Sequence, residues 1–509
     1  MAEMRNYSTS LTRLLKGLWH MPAVLDTQIH GIRTDSRQVI KGDLFLALAR
    51  DVEQARAHIH EAVSRGANAV IGDASVHHRP VMEEAGVVEI FLPELNVLMG
   101  EIAARFFQQP SREMTVIGIT GTNGKTSVSH YIANFLSVQG MLTGVIGTLG
   151  YGIPTLDGED LRETGYTTPD LVEVQRSLAS LRDRGAKCVA MEVSSHGIEQ
   201  SRVAGVQFTG AVFTNLSREH IDYHGSMENY GAAKRRLFQV SGLQFAVLNG
   251  DDPYSVDMAS ALSPEVKCVR YGEHESNDIR AEAACYDQGI AARVVAPQGA
   301  FDIRSELLGA FNLSNLLAVA GVALCLGCSL ASLDGLGRLR AVTGRMQMLR
   351  EPGCPTVVID FAHTPDALEK VLLALRHHCR GKLVAVFGCG GDRDRGKRPQ
   401  MAVLAERLAD RIWVTSDNPR GESPEAIAAD ICAGFAHPET VSVQLDRAMA
   451  IRDAIGQSQP EDLVLVAGKG HETWQEVKGE KRYFSDLEQV RMVLQGLAKP
   501  VRAPDGADR

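Results

Sequence analysis

The chain has 509 residues, 44% of them hydrophobic and 23% charged, which is room for about three domains that each bury a core. Disordered, collagen-like and small disulfide-framework architectures are thereby excluded. With 53 basic against 62 acidic side chains the formal net charge is -9, so bulk charge draws the protein neither to nucleic acid nor to acidic lipid. Any anion it holds needs a dedicated site.

The first 25 residues contain no signal-peptide core, because Arg13, Lys16 and His20 interrupt their apolar positions. Together with nine scattered cysteines, this sets the expectation of a cytoplasmic protein. Short apolar runs then recur at Thr115 to Thr120, Lys187 to Val193, Ala211 to Leu216, Thr356 to Phe361, Lys382 to Phe387, Ile412 to Thr415 and Asp462 to Ala467. Each is followed by a turn and a helical pattern, the signature of βαβ units, so the expected class is α/β with functional loops at the carboxyl ends of parallel strands. Domains are expected over residues 1–93, 94–342 and 343–509, the last break falling where Thr343-Gly344 interrupts the helical pattern. The uncharged run Leu316 to Leu333 approaches the length of a membrane span, but Gly327 is expected to divide it into two core helices. Cys325 and Cys328 within it lack a second pair or a nearby histidine and read as two buried thiols rather than a metal site. The tail after Lys499 is expected to fray.

The chemistry-bearing segments follow these strands. TGTNGKTS, Thr120 to Ser127, lies between the strand Thr115 to Thr120 and the helical pattern Ser127 to Leu136. Its glycines free backbone N–H groups for phosphate, Lys125 reaches the outer phosphates and Thr126 offers a magnesium ligand, although Ile119 stands where the usual spacing has its first glycine. Glu192 ends the next strand, before Ser194-Ser195-His196, and suits a metal role in the same crevice. TNLSREHIDYHG, Thr214 to Gly225, packs His220, Asp222 and His224 into five positions. In the last third, GCGGDRDRGKRP (Gly388 to Pro399) and SDNPRGESP (Ser416 to Pro424) bring arginines to neighbouring strand ends, and GKGHE (Gly468 to Glu472) adds a carboxylate. Arginine with carboxylate is a pocket for a zwitterion.

TGTNGKT, EVSSHG, TNLSREHIDYHG, GAFNLSN (Gly309 to Asn315), GRMQ, DFAHTPD (Asp360 to Asp366), GCGGDRDRGKRP, DNPR and GKGHE stand in the order found in the Mur ligases, and the chain resembles that family from about Asp35 onward. The resemblance implies a three-domain α/β fold, a central P-loop-ATPase-like parallel or mixed sheet flanked by an N-terminal UDP-binding α/β domain and a C-terminal dinucleotide-fold-like α/β domain. It implies an ATP-dependent amide ligase of peptidoglycan precursor synthesis, using magnesium, that adds meso-diaminopimelate to UDP-N-acetylmuramoyl-L-alanyl-D-glutamate through an acyl phosphate. Such an enzyme serves cell shape and division, and is expected to be a cytoplasmic monomer with no nucleic-acid partner and no membrane insertion.

By the same resemblance, Gly121, Thr122, Asn123, Gly124, Lys125, Thr126 and Ser127 would cradle ATP, with Asn312, Arg345, Asp360 and His363 on its adenine, ribose and phosphate side. Thr126, Glu192 and His220 would serve magnesium, joined by Lys234, which matches a lysine carbamylated in the family. The UDP-sugar peptide would meet Ser36, Thr167, Thr168, Ser194, Gln200 and Arg202. Arg393, Asp417, Asn418, Pro419, Arg420, Gly468 and Glu472 would form the diaminopimelate pocket, DNPR being the family's diaminopimelate form. The competing readings are a lysine-adding or folylpolyglutamate-synthase-like ligase, and a nucleotide switch that performs no ligation; only the switch dispenses with an amino-acid pocket.

Overall fold

The computed structural model describes residues 6–48, 51–77, 81–84, 86–155, 158–287 and 289–497. The segment after Lys499 lies outside the described residues. Two compact units emerge, residues 1–278 with 318–328, and residues 279–317 with 329–509.

In the first unit, strands β1 (Gly31–Arg33), β2 (Asp43–Ala47), β3 (Ala69–Asp73), β4 (Val81–Glu84) and β5 (Val87–Leu92) form a sheet ordered β1-β2-β3-β5-β4, parallel except for β4. Alternate residues of a strand face opposite sides, so each face gets its own core. Phe45, Val70 and Phe91 pack on α1 (Val52–Ser64), whereas Leu44, Leu46, Ile71 and Ile90 pack on α2 (Leu95–Phe106).

A second sheet of this unit uses β6 (Thr115–Thr120), β7 (Thr143–Gly147), β8 (Gly150–Thr155), β9 (Gly158–Arg162), β10 (Cys188–Glu192), β11 (Gly210–Phe213), β12 (Phe245–Asn249) and β13 (Lys267–Gly272). Its order is β9-β8-β7-β10-β6-β11-β12-β13, antiparallel at the β7-β8-β9 end and parallel elsewhere, which is the mixed central sheet expected. Helix α3 (Lys125–Val138) follows β6, α4 (Leu171–Asp183) precedes β10, and α5 (Met227–Arg235) lies between β11 and β12. Register decides what the loops can reach: Ile119 of β6 pairs with Glu192 of β10, and Thr120 with Phe213 of β11. The loops leaving these three neighbours therefore start at one level of the sheet.

The second unit begins with an antiparallel meander, β14 (Ile279–Cys285), β15 (Ile290–Ala296) and β16 (Gly299–Ser305). Helix α6 (Ala310–Cys325) contributes residues to both units. It stops before Gly327, whose φ of +84° ends the helix, and a 3-10 segment Leu330–Arg338 follows, so the long apolar run is divided as expected. No helix among the described residues is long and apolar enough to cross a membrane. Cys325 and Cys328 correct the expectation of buried thiols: both are free and only half-buried, because the helix end and the glycine turn leave them near the surface.

The last sheet comprises β17 (Gln347–Leu349), β18 (Thr356–Asp360), β19 (Leu383–Phe387), β20 (Arg411–Val414), β21 (Ser442–Val443) and β22 (Leu463–Ala467), ordered β17-β18-β22-β19-β20-β21 and parallel apart from β17. Helices α7 (Pro365–Arg376), α8 (Lys397–Leu408) and α9 (Pro424–Cys432) bury one face, and α10 (Arg447–Gly456) and α11 (Asp486–Leu497) the other. A hairpin of β23 (Trp474–Val477) and β24 (Glu480–Tyr483) follows β22.

Candidate active site

In the first unit the loop between β6 and α3 is strapped to the segment leaving β11. Thr122 and Asn123 donate their backbone N–H to Asn215 O and Oδ1 at 2.8 and 2.9 Å, and Thr214 Oγ1 donates to Asn123 O at 2.6 Å. Gly121, at φ +147°, must be glycine, since a Cβ there would lie 2.0 Å from Thr214 Oγ1. Lys125 begins α3, and its Nζ donates to the carbonyls of Gly121 and Thr122 at 2.9 and 2.8 Å. A helix N-terminus, a glycine loop and a lysine thus share one end of β6, the arrangement that holds phosphate.

Glu192 is fully buried beside this loop. Its carboxylate accepts from Thr126 Oγ1 at 3.0 Å, Thr148 N at 2.8 Å and Thr148 Oγ1 at 3.1 Å, with no ion-pair partner among the described residues. A buried anionic oxygen set facing only neutral donors fits a hard divalent cation. Thr148 Oγ1 also lies 3.1 Å from Thr167 Oγ1, from which it accepts. Thr168 Oγ1 donates to Glu192 O at 2.9 Å and accepts from Ser194 N at 3.0 Å, while Arg202 donates to Thr168 O at 2.7 Å and to the Gln200 side chain. Thr167, Thr168, Ser194, Gln200 and Arg202 therefore gather around the carboxyl end of β10. Ser36 sits elsewhere in the unit, on a 3-10 turn, and donates to Glu61 at 2.7 Å.

Lys234, on α5, is buried with its Nζ 2.9 Å from Gly121 O and 4.3 Å from the Tyr230 ring centre. Burial, followed by the nearby Lys125 charge, holds its amine well below the ordinary lysine range. His220 takes the left-handed conformation, φ +56°, and its ring lies 4.8 Å from that of His196 and 6.1 Å from that of Tyr230. Of His220, Asp222 and His224, Asp222 is exposed, while the rings of His220 and His224 both pack against His196, at 4.8 and 5.5 Å, and His224 is engaged with Ser195 Oγ at 2.9 Å. Among the described residues no three His, Cys, Asp or Glu side chains form a metal shell.

The second unit gathers two groups. Asp360 closes β18 and accepts from Met346 N at 2.7 Å and Ala362 N at 2.8 Å; burial raises its carboxyl above the usual range, against the opposing pull of Arg345. Arg345 lies over the Phe361 ring at 4.4 Å, and His363 Nδ1 is 2.8 Å from Phe361 O. Asn312, on α6, donates to Leu308 O at 2.9 Å. The second group stands at the ends of β20 and β22. A Cβ on Gly468 would lie 2.6 Å from Asp417 Oδ2, so this turn and the DNPR loop touch. Asn418 Nδ2 donates to Glu472 Oε2 at 2.8 Å, and Arg420 Nη1 to Gly391 O at 2.8 Å. Arg420 has φ +50° and is held by the β23–β24 hairpin, its N–H donating to Glu476 O at 3.0 Å and its carbonyl accepting from Lys478 N at 2.7 Å. Pro419 belongs to the same loop, and Arg393 is exposed near Gly390. Of the other arginines after β19, Arg398 is fully buried against Glu422 and Asp430 and so supports the loop from beneath.

Sequence reasoning missed Thr148, Tyr230, Lys469 and the hairpin. Thr148 stands just after a strand, as Glu192 stands at the end of one, a signal within reach; the hairpin contributes backbone atoms, which leave no residue signature.

The geometry of a glycine loop with a buried carboxylate in one unit, and of the DNPR loop bonded to the GKGHE turn in the other, agrees with what the chain matches. The Mur ligase middle domain matches residues 119–323, the glutamate ligase domain of Mur ligases residues 344–470, and the catalytic domain of the Mur ligase family residues 28–107. The chain belongs to the Mur ligase family, ATP-dependent amide ligases. It is 48% identical to the UDP-N-acetylmuramoyl-L-alanyl-D-glutamate–2,6-diaminopimelate ligase of Ectopseudomonas mendocina, over 92% of this chain and 95% of that one. The enzyme of that description from Coxiella burnetii is 46% identical over 92% of this chain and 96% of its own. A solved structure of such a ligase has a TM-score of 0.68 at 38% identity, covering 92% of this chain and 95% of that one. MurF from Acinetobacter baumannii shares the fold, with a TM-score of 0.62 at 19% identity and 97% of each chain covered.

Proposed function

We propose that this ligase joins meso-diaminopimelate to the D-glutamate carboxyl of UDP-N-acetylmuramoyl-L-alanyl-D-glutamate, with conversion of ATP to ADP and phosphate. The observation that carries the reading is Arg420, fixed in a left-handed conformation on the loop whose Asn418 donates to Glu472. Diaminopimelate carries a second amino and carboxyl group at its far end, so its pocket needs a cation and an anion there. The Arg420 Nε already lies 3.6 Å from Glu476 Oε2, and lysine would bring no second carboxylate to the guanidinium, forgoing a bond that diaminopimelate makes.

A carboxylate is a poor electrophile, and phosphorylation supplies its leaving group. The acceptor carboxylate attacks the terminal phosphorus of ATP; the resulting acyl phosphate is attacked by the diaminopimelate amine, and the tetrahedral adduct expels phosphate to leave the amide. In this reading Gly121 to Ser127 form the phosphate loop, the N–H groups of Thr122 and Asn123 fixing it against Asn215, and Lys125 neutralises the outer phosphates. Thr167, Thr168, Ser194, Gln200 and Arg202, with Ser36, orient the acceptor; Asn312, Arg345, Asp360 and His363 serve the nucleoside side. Asp360 acts there by fixing the backbone of Met346 and Ala362. Thr126, Glu192, His220 and Lys234 would hold magnesium, which when bound offsets the negative charge gathered between the two anionic substrates. The suppressed basicity of Lys234 favours its neutral amine, the form that adds carbon dioxide to give a carbamate with release of a proton. All nine cysteines are free, which supports a reducing, cytoplasmic setting, and a monomer is the expected state.

The test is phosphate release from ATP by purified protein with magnesium and UDP-N-acetylmuramoyl-L-alanyl-D-glutamate, adding meso-diaminopimelate or L-lysine in parallel. Release with tripeptide product only for diaminopimelate is expected. Equal turnover with lysine would overturn the assignment of the pocket, and turnover with neither would overturn that of the acceptor.

A further inference from the structure

Lys469 stands between two glycines at the end of β22, and its side chain is fully buried. Gly468 and Gly470 have φ of +114° and +55°, conformations that side-chain-bearing residues rarely adopt, and they turn the lysine inward at the strand end. Its Nζ donates to Asn418 Oδ1 at 3.2 Å, to Glu472 Oε2 at 2.9 Å and to Trp474 O at 2.5 Å, and lies 5.4 Å from the Trp474 ring centre. These acceptors belong to three separate segments: the DNPR loop, the GKGHE turn and the hairpin.

The bonds also fix which atoms remain for a ligand. Asn418 Oδ1 accepts from Lys469 and from Glu476 N at 3.0 Å, and its amide nitrogen donates to Glu472, so this side chain is committed inside the protein. Glu472 spends Oε2 on Asn418 and Lys469, while Oε1 makes no hydrogen bond to a described residue. We propose that Lys469 is the positioning residue of the amino-acid pocket, its ammonium tying the DNPR loop, the GKGHE turn and the hairpin into one surface that holds Glu472 Oε1 and the Arg420 backbone in fixed places for the incoming amino acid. This rests on the diaminopimelate reading of the pocket. Without Lys469, Asn418 and Trp474 O lose a donor, Glu472 loses its cation, and Glu472 and Arg420 no longer share a fixed frame.

The experiment measures KM for all three substrates and kcat for the full-length wild type, Lys469→Met and the milder Lys469→Gln, which keeps N–H donors on a side chain one atom shorter and removes the charge. Expected for Lys469→Met is a rise of about 30-fold or more in KM for diaminopimelate, with KM for ATP and for the UDP-linked acceptor within about twofold. Lys469→Gln should show a smaller rise of the same kind. Unchanged KM for diaminopimelate in a folded variant, or a parallel rise in all three constants, overturns the proposal; if Lys469→Met does not fold, Lys469→Gln decides alone. A wild type with no diaminopimelate-dependent turnover instead overturns the pocket reading itself, so the two failures are distinguishable.

Discussion

Thr126 Oγ1 donates to Glu192 Oε2 at 3.0 Å, joining the first turn of α3 to the carboxyl end of β10. The parallel register of β6 with β10 makes this bond possible, since it sets Glu192 level with Ile119. Glu192→Gln keeps the shape and removes the charge, and should lower ligation by on the order of 10²–10³-fold with a weakened response to magnesium. Product formation across a magnesium titration measures both; a normal magnesium response would remove Glu192 from the metal site.

Lys234 should be sensitive to carbon dioxide supply. Activity is expected to rise with bicarbonate, and Lys234→Ala to recover part of its lost activity with a short carboxylic acid that restores an anion at the vacated position. If neither effect is seen, Lys234 acts as an unmodified amine.

Arg420→Ala should depress kcat/KM for diaminopimelate by about 10²-fold or more while nucleotide binding in the other unit is retained. Isothermal titration with a nonhydrolysable ATP analogue, beside steady-state kinetics, separates the two effects.

Arg447 and Asp486 form a fully buried bidentate pair at 2.7 and 2.8 Å, and Arg447 also donates to Ala467 O at 2.9 Å, bracing β22 just before Gly468. Arg447→Ala strands a buried carboxylate and should cost about 3–5 kcal/mol, whereas Arg447→Met with Asp486→Leu should recover most of it. Equilibrium unfolding followed by the fluorescence of Trp413, buried in the same core, reads the difference.

His196 carries a pH dependence of known sign. Burial, and then the neighbouring His220 and His224, lower its pKa from 6.5 to about 4. The unfolded chain therefore binds the proton first, so the contribution of His196 to stability is intact above pH 6.5 and is lost as pH falls toward 4. His196→Phe should lose less stability than the wild type between pH 7 and 4, measured by urea unfolding at each pH; parallel curves would refute the shift.

Much of this was legible in the residues. The apolar runs at Thr115 and Leu463 are strands because they are buried on both faces, and β6 spans Thr115–Thr120 as read. The loop glycines read as a phosphate loop, and the structure requires glycine at 121, where a Cβ would meet Thr214 Oγ1. What sequence could not supply is engagement between segments distant along the chain. Three polar residues at His220, Asp222 and His224 look like one cluster in the sequence, yet Asp222 faces solvent, and the two histidines pack on His196, 24 residues before the first of them. Lys469 looked like part of a glycine turn, because its acceptor Asn418 lies 51 positions away.

The hairpin has a consequence for redesign. Arg420 owes its unusual backbone to two main-chain bonds with a segment more than fifty residues downstream, and those bonds are indifferent to side-chain identity. The DNPR motif is thus a portable word only in company with its reader. Transplanted alone into a relative whose hairpin differs in length, the four residues would relax toward ordinary φ values and aim the guanidinium elsewhere. The conformation of Arg420 is a property of two segments in register, and a graft that moves one must move both.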